Sequence, residues 1–202
     1  MTKVGSYNPL DKQNLGESVA EALLGRDLHN LPPEPFEGAG IYAIYYAGDL
    51  DIYREIKLPR ANRRGRAIYV GKAIPQGARK AGLGLDAEPG QVLFRRLREH
   101  AKSINDANNL RLEDFRCRYL VVDDIWIPLG ESLLLQKFRP FWNLVIDGFG
   151  NHPPGKGRTK QECSLWDTLH PGREWAYELN PSSISTEEIH KKIHGHFKGG
   201  LK

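Results

Sequence analysis

Arg96 and His100 stand four residues apart in VLFRRLREH, a spacing that sets a guanidinium and an imidazole side by side on one helix face. A guanidinium fork suits a phosphate better than an ammonium does, and an imidazole can take or give a proton. Two tyrosines occupy aromatic, β-branched runs: Tyr42 in GIYAIYY and Tyr69 in AIYVGKA, the second followed closely by Lys72. A phenol with a pKa of about 10 is ionised to only about 0.1% at neutral pH, so a tyrosine that activates water needs help from its neighbours. Glu131 offers the hard oxygen that magnesium prefers, and Asn143 follows Pro140-Phe141-Trp142 with a side-chain amide. Each residue also has a plain structural reading. Strand tyrosines pack, an arginine bordering an apolar helical stripe faces solvent, a first-turn glutamate complements the helix dipole, and asparagine makes turns.

Charge distribution narrows the partner. The net charge is +4, but nine basic residues fall between Arg54 and Lys80 against one acidic residue, Glu55. That stretch faces a polyanion or forms a solvated loop. The two cysteines, Cys117 and Cys163, form no C-x-x-C pair, which argues against structural zinc. His190, His194 and His196 lack a carboxylate or cysteine at ligand spacing, so they read as an exposed helix face. Trp142, Trp166 and Trp175 read as core, whereas HPGREWA (170–176) packs or contacts DNA. The longest apolar run is the seven residues Ile41 to Ala47, against the roughly 20 needed to span a bilayer. The first residues, MTKVGSYNPLDKQ, carry no apolar signal segment, so a cytoplasmic protein is expected.

The elements that must position these groups follow from punctuation and period. Strands are expected over 40–47, 67–73 and 115–122, the last alternating Phe115, Cys117, Tyr119 and Val121 on one face. A helix over 92–104 carries Leu93, Leu97, Ala101 and Ile104 as its apolar stripe. Another begins at Pro128, with Glu131 in its first turn, and must stop before Pro140. Ser18 and Glu21 have capping-box spacing for an N-terminal helix that Gly25 closes. Ser185 and Glu188 do the same for a last helix bearing Ile189, Ile193 and Phe197. The basic run lies in the connection between the first two strands, which shows no regular pattern. A chain of 202 residues with 40% hydrophobic content can fold as a single domain.

The ordered set Gly40-Ile41-Tyr42, Tyr69-Val70-Gly71, Arg96, His100, Glu131 and Asn143 resembles the GIY-YIG nucleases over residues 36–147. The segments DGFGNHPPG and HPGREWA are similar to those of the type II restriction endonuclease branch, nearest to the SacII-isoschizomer, CCGCGG-cutting group. Departures are Val70 for the usual isoleucine and the long insert between the strand motifs. The resemblance implies an α/β (α+β) fold: a small three-stranded, mainly antiparallel sheet flanked by helices. The catalytic core would be 36–147, the N-terminal helical arm 1–35 and the C-terminal extension 148–202. It implies phosphodiester hydrolysis with one Mg2+ (or Mn2+) ion, held by Glu131.

Under that resemblance Tyr42 is the general base, directly or through His100, beside Tyr69, with Lys72 and Arg96 favouring its charged form. Arg96 meets the charge growing on phosphorus, and Asn143 tethers the active-site backbone or a metal-bound water. Arg60, Arg63, Arg64, Arg66, Lys156 and Arg158 are the DNA-binding candidates. The partners are double-stranded DNA, a second copy of the chain docked through 1–30 and 176–202, and a cognate DNA methyltransferase guarding the host. The rival readings are a structure-specific or modification-dependent nuclease, a non-catalytic DNA-binding protein, and an RNA-binding or structural protein with a fortuitous motif.

Overall fold

A computed structural model of the chain describes residues 8–59, 65–75, 89–155, 157 and 160–198. Its centre is the GIYAIYY strand, β2 (Gly40–Tyr46), every residue of which is buried. The flanking strands are β1 (His29–Asn30), β3 (Tyr69–Ala73) and β4 (Phe115–Val121), in the order β1-β4-β2-β3, and every pairing is antiparallel. The sheet therefore has four strands where three were expected. β1 pairs His29 with Cys117 and Asn30 with Arg116, and two residues are too few to show a period-two pattern.

Alternation along β2 splits the core. Tyr42, Ile44 and Tyr46 join a cluster with Leu93, Leu97, Ala101 and Ile104 of α2 (Val92–Asp106), while Ile41, Ala43 and Tyr45 join another with Ala20, Leu23, Ile127 and Leu134. Helices on both faces explain why β2 is apolar throughout rather than on alternate residues. Gly40 admits the strand: its φ is +156°, and a Cβ there would lie 3.0 Å from the Leu120 carbonyl carbon. Each fully buried Leu or Ile of the α2 stripe contributes about 1.5–3 kcal/mol over leaving it exposed.

The second helical layer is α1 (Lys12–Leu24) on α3 (Ile127–Phe138). α1 starts before the Ser18–Glu21 pair, because Asp11 caps it by accepting from the Gln13 N–H at 2.8 Å. A Cβ at Gly16 would stand only 3.5 Å from Leu133 of α3. The helix expected as an arm thus lies on the body of the protein. α3 has Pro128 in its first turn and ends with Arg139 at φ 44°, ahead of Pro140. Because it begins at Ile127, Glu131 falls beyond the first turn, where the helix dipole gives it no role.

The connection between β2 and β3 is more ordered than expected. Residues Asp51–Ile56 form a 3-10 turn that buries Tyr53 and Ile56. Arg54 of the basic run pairs with Asp51 at 2.6 Å, and Lys57 pairs with Asp49. A four-residue helix, α4 (Phe141–Leu144), and a five-residue one, α5 (Leu165–Leu169), carry Trp142 and Trp166 into the core. The last helix, α6 (Thr186–Lys198), has its capping box: Ser185 N–H donates to Glu188 at 2.9 Å and Glu188 N–H to the Ser185 hydroxyl at 3.3 Å. Ile189 and Ile193 are its buried anchors. No helix among the described residues is long and apolar enough to cross a membrane.

Candidate active site

In the β2–β3 ladder Tyr42 faces Gly71, and Ile44 faces Tyr69. The two tyrosines are therefore diagonal neighbours on one face rather than a direct pair, with ring centroids 6.2 Å apart. Gly71 leaves the room for this, since a Cβ there would lie 2.6 Å from Tyr42 Cζ and 3.1 Å from Tyr69 Cε1. α2 then lays Arg96 and His100 over the phenols. Tyr42 Oη and His100 Nε2 are 2.5 Å apart, both side chains buried. The His100 ring stacks on Phe149 at 4.5 Å and meets Tyr69 edge-on at 5.1 Å.

Burial sets the protonation of this pair. It pushes the Tyr42 phenol well above its usual range, neighbouring Tyr69 adds to the shift, and Arg96 opposes it without outweighing it. Tyr69 is raised in the same way. Burial also holds the His100 imidazole well below 6.5, reinforced by the cation Arg96 and by His152 and Arg173. Hence Tyr42 donates its O–H and neutral His100 accepts it at Nε2. Arg96 and Lys72 were expected to favour the phenolate, but desolvation exceeds the effect of Arg96, and Lys72 is engaged elsewhere.

Arg96 is aimed by three acceptors. Nη1 donates to Glu99 Oε2 at 2.9 Å and to His152 Nε2 at 2.7 Å, and Nη2 donates to the Gly150 carbonyl at 2.8 Å. Gly150 must be small, because a Cβ would stand 2.5 Å from Tyr69 Oη and 3.4 Å from Arg96 Nη2. A groove of about 550 Å³ opens beside Arg96, between α2 and residues 172–178, with Asp106, Glu174 and Glu178 along it. The carboxylates lie toward one end of the groove and the cation Arg96, with His152, toward the other.

Lys72 pairs with Ile41 in the ladder and so points to the α3 face, where its Nζ lies 2.5 Å from Glu131 Oε2. β3 is an edge strand, and the site wraps around that edge: phenols, Arg96 and His100 from the α2 side, Lys72 and Glu131 from the α3 side. The Glu131 charge raises the pKa of both phenols, so the two halves share one field. Asn143 stands against the outer edge of β3. Its Oδ1 accepts from the Val70 N–H at 2.9 Å and its Nδ2 donates to the Val70 carbonyl at 2.9 Å. Of the two roles weighed for it, this geometry is that of a backbone tether. Among the described residues no group of three or more His, Cys, Asp or Glu could hold a metal. A cation at this edge would therefore take Glu131 as its one carboxylate ligand, a donor set that fits a hard ion completed by water and phosphate oxygens.

Arg66 is exposed ahead of β3, and Arg60, Arg63, Arg64, Lys156 and Arg158 lie outside the described residues. HPGREWA packs at Arg173, which is 2% exposed. Trp142 and Trp166 are core, whereas Trp175 is half-buried with the Arg173 guanidinium 4.6 Å from its ring. His194 is exposed, but His190 and His196 are partly buried, His196 against Phe141. The sequence assigns no site role to Glu99, Phe149, Gly150 or His152, although the last three lie in the DGFGNHPPG segment. The signal for Glu99 is its position three residues after Arg96 on one helix; that for the others is the segment's resemblance, which names no side chain.

These groups can pass a proton from a water through a phenol to an imidazole, grip a phosphate with a guanidinium, and offer one carboxylate to a cation. The family model described as the Eco29kI GIY-YIG domain matches residues 34–197. No curated protein matches the chain. With the match spanning most of its length, the chain belongs to the Eco29kI GIY-YIG family of restriction-type nucleases, hydrolases that bind DNA.

Proposed function

We propose that the protein is a sequence-specific endonuclease of type II, cutting double-stranded DNA with one Mg2+ or Mn2+ ion. The carrying observation is the buried Tyr42–His100 hydrogen bond of 2.5 Å within the field of Arg96. A water placed at the Tyr42 oxygen loses its proton to that oxygen as the phenolic proton moves to His100 Nε2. No free phenolate forms; the charge appears instead on buried His100, whose lowered basicity the negative charge of an incoming phosphate offsets. Arg96 turns from Glu99 and His152 to the phosphoryl oxygens, and its fork meets the charge that grows there. Lys72 holds Glu131 at the strand edge, and Glu131 would hold the cation. When bound, such an ion stabilises charge on the phosphate and on the leaving oxygen.

One centre per chain and two strands to cut favour a two-fold pair acting on a palindrome. Arg66, with Arg60, Arg63 and Arg64 before it and Lys156 and Arg158 later in the sequence, supplies cations for guanine edges or phosphates. Guanine contacts would fit a GC-rich site, and CCGCGG, the site cut by the group the sequence resembles, is the first to test. An active cutter also needs a companion methyltransferase in the cytoplasm of its host. Incubation with defined plasmid DNA, with and without Mg2+, tests the whole reading. Discrete fragments that require the metal and vanish in Tyr42→Phe are expected. Smears, cleavage confined to branched or modified DNA, or retarded but intact DNA would each overturn it in favour of the corresponding rival.

A further inference from the structure

Arg173 takes no part in the chemistry above, yet it is among the most buried side chains of the protein, with Asp167 beside it at 1% exposure against its own 2%. Its Nε and Nη2 form a two-pronged pair with Asp167 at 2.6 Å each, and Ser164 Oγ donates to the same carboxylate at 2.6 Å. A buried ion pair is weak evidence for stability, because desolvation consumes much of its attraction. What this one does with its remaining donors is specific. Nη2 donates to the Gly148 carbonyl at 3.0 Å, and Nη1 to the carbonyls of Phe149 at 3.2 Å and Asn151 at 3.4 Å. Three carbonyls of one turn are thus gathered on one guanidinium.

The other side of that turn is the wall of the active site. Gly150 O and His152 Nε2 are two of the three acceptors that aim Arg96. The Phe149 ring stacks on His100, with 19° between planes, and meets Tyr69 edge-on at 4.9 Å. We infer that Arg173, clamped by Asp167, is a positioning residue for the nuclease centre: it shapes the 148–152 turn that holds Arg96 and His100 in place. This rests on the nuclease reading above. An apolar residue could fill the same volume, but it would take the Arg173 donor from the Phe149 and Asn151 carbonyls and leave Gly148 O with the Asn151 N–H alone, so the turn would lose the guanidinium that gathers it. Lysine would keep a cation against Asp167, but its single ammonium lacks the planar fork.

The test compares wild type, Arg173→Lys and Arg173→Met in steady-state cleavage of a plasmid the wild type cuts. Metal-free DNA binding and near-UV circular dichroism are measured alongside. Arg173→Lys is expected to keep its native spectrum, its DNA affinity and its KM while kcat falls about 10²-fold, the order expected for a misplacement of about 1 Å. The pH profile separates positioning from a loss of folded protein. His100 faces Tyr42, Tyr69, Arg96, His152 and, more distantly, Arg173. Arg173→Met removes a cation that disfavours the imidazolium, so its acid limb moves to higher pH, while Arg173→Lys keeps the wild-type limb. A reduced folded fraction would scale the rate at every pH and move no limb. Arg173→Lys cleaving with wild-type kcat overturns the inference alone, as does Arg173→Lys being unfolded at the assay temperature. A wild type that cuts no DNA overturns the nuclease reading and this inference together.

Discussion

Asn143 gives the sharpest test of how the edge strand is held. Val70 lies opposite Ala43 in the ladder, and its own N–H and C=O point outward to the Asn143 amide, each at 2.9 Å. A single side chain therefore does the work of a further strand. Replacing it in Asn143→Ala removes two neutral hydrogen bonds, each worth about 1 kcal/mol net, so a loss of about 2 kcal/mol is expected. With a urea m-value of about 2 kcal/mol/M, the unfolding midpoint falls by about 1 M. Tyr69 and Lys72 flank Val70 and Gly71 on the released strand. kcat should therefore fall about 10²-fold, while metal-free DNA binding is retained.

Asn143→Asp sharpens the reasoning. A carboxylate can still accept from the Val70 N–H but sets its second oxygen against the Val70 carbonyl, whereas a protonated carboxyl can donate there. The introduced group thus has a folded pKa above its unfolded value, and its protonated form stabilises the fold. At neutral pH Asn143→Asp should be less stable than Asn143→Ala, and the gap should close as pH falls toward the carboxylate range. Unchanged midpoints in both variants, with only a higher metal requirement, would refute the tether and return Asn143 to orienting a metal-bound water.

Two further outcomes follow from packing and from burial. Gly71→Ala places a Cβ 2.6 Å from Tyr42 Cζ and 3.1 Å from Tyr69 Cε1, so a loss of about 1–3 kcal/mol is expected from overpacking, together with loss of cleavage. A variant with wild-type melting and rate would show that the two rings have slack. Acid should unfold the protein partly through its buried histidines: burial holds His100 well below 6.5 and pulls His170 down to about 3. Below 6.5 the unfolded chain takes up a proton that the folded His170 refuses until about 3, so stability is lost as pH falls through that window. The slope is up to about 1.4 kcal/mol per pH unit for each histidine. His170→Asn should flatten the dependence measured by urea unfolding between about pH 4 and about pH 7, and an unchanged slope would refute it.

The parts of the site legible in the sequence are those carried by short-range geometry. The β-rich GIYAIYY run put Tyr42 on a strand, and an i, i+4 spacing put Arg96 beside His100; both hold because helix and strand signals are local. The failures all lie where a tertiary contact chose between local options. Asp11 and Ser18 are equally good helix caps by type, and the one used adds the turn that lays buried Gly16 against Leu133 of α3. Tyr69 was expected beside Tyr42 and is its diagonal neighbour, because register depends on the whole ladder and Gly71 takes the place directly across. The protonation of Tyr42 misled for the same reason: counting cations near a phenol ignores desolvation, which only the packed structure reveals. The 148–152 turn had no periodic signal, since its worth lies in reaching Arg96 across more than fifty residues of chain. That turn and its arginine show where a site on regular elements is completed: the strand and helix supply the reacting groups, and an irregular segment, fixed through its carbonyls, decides how well they meet.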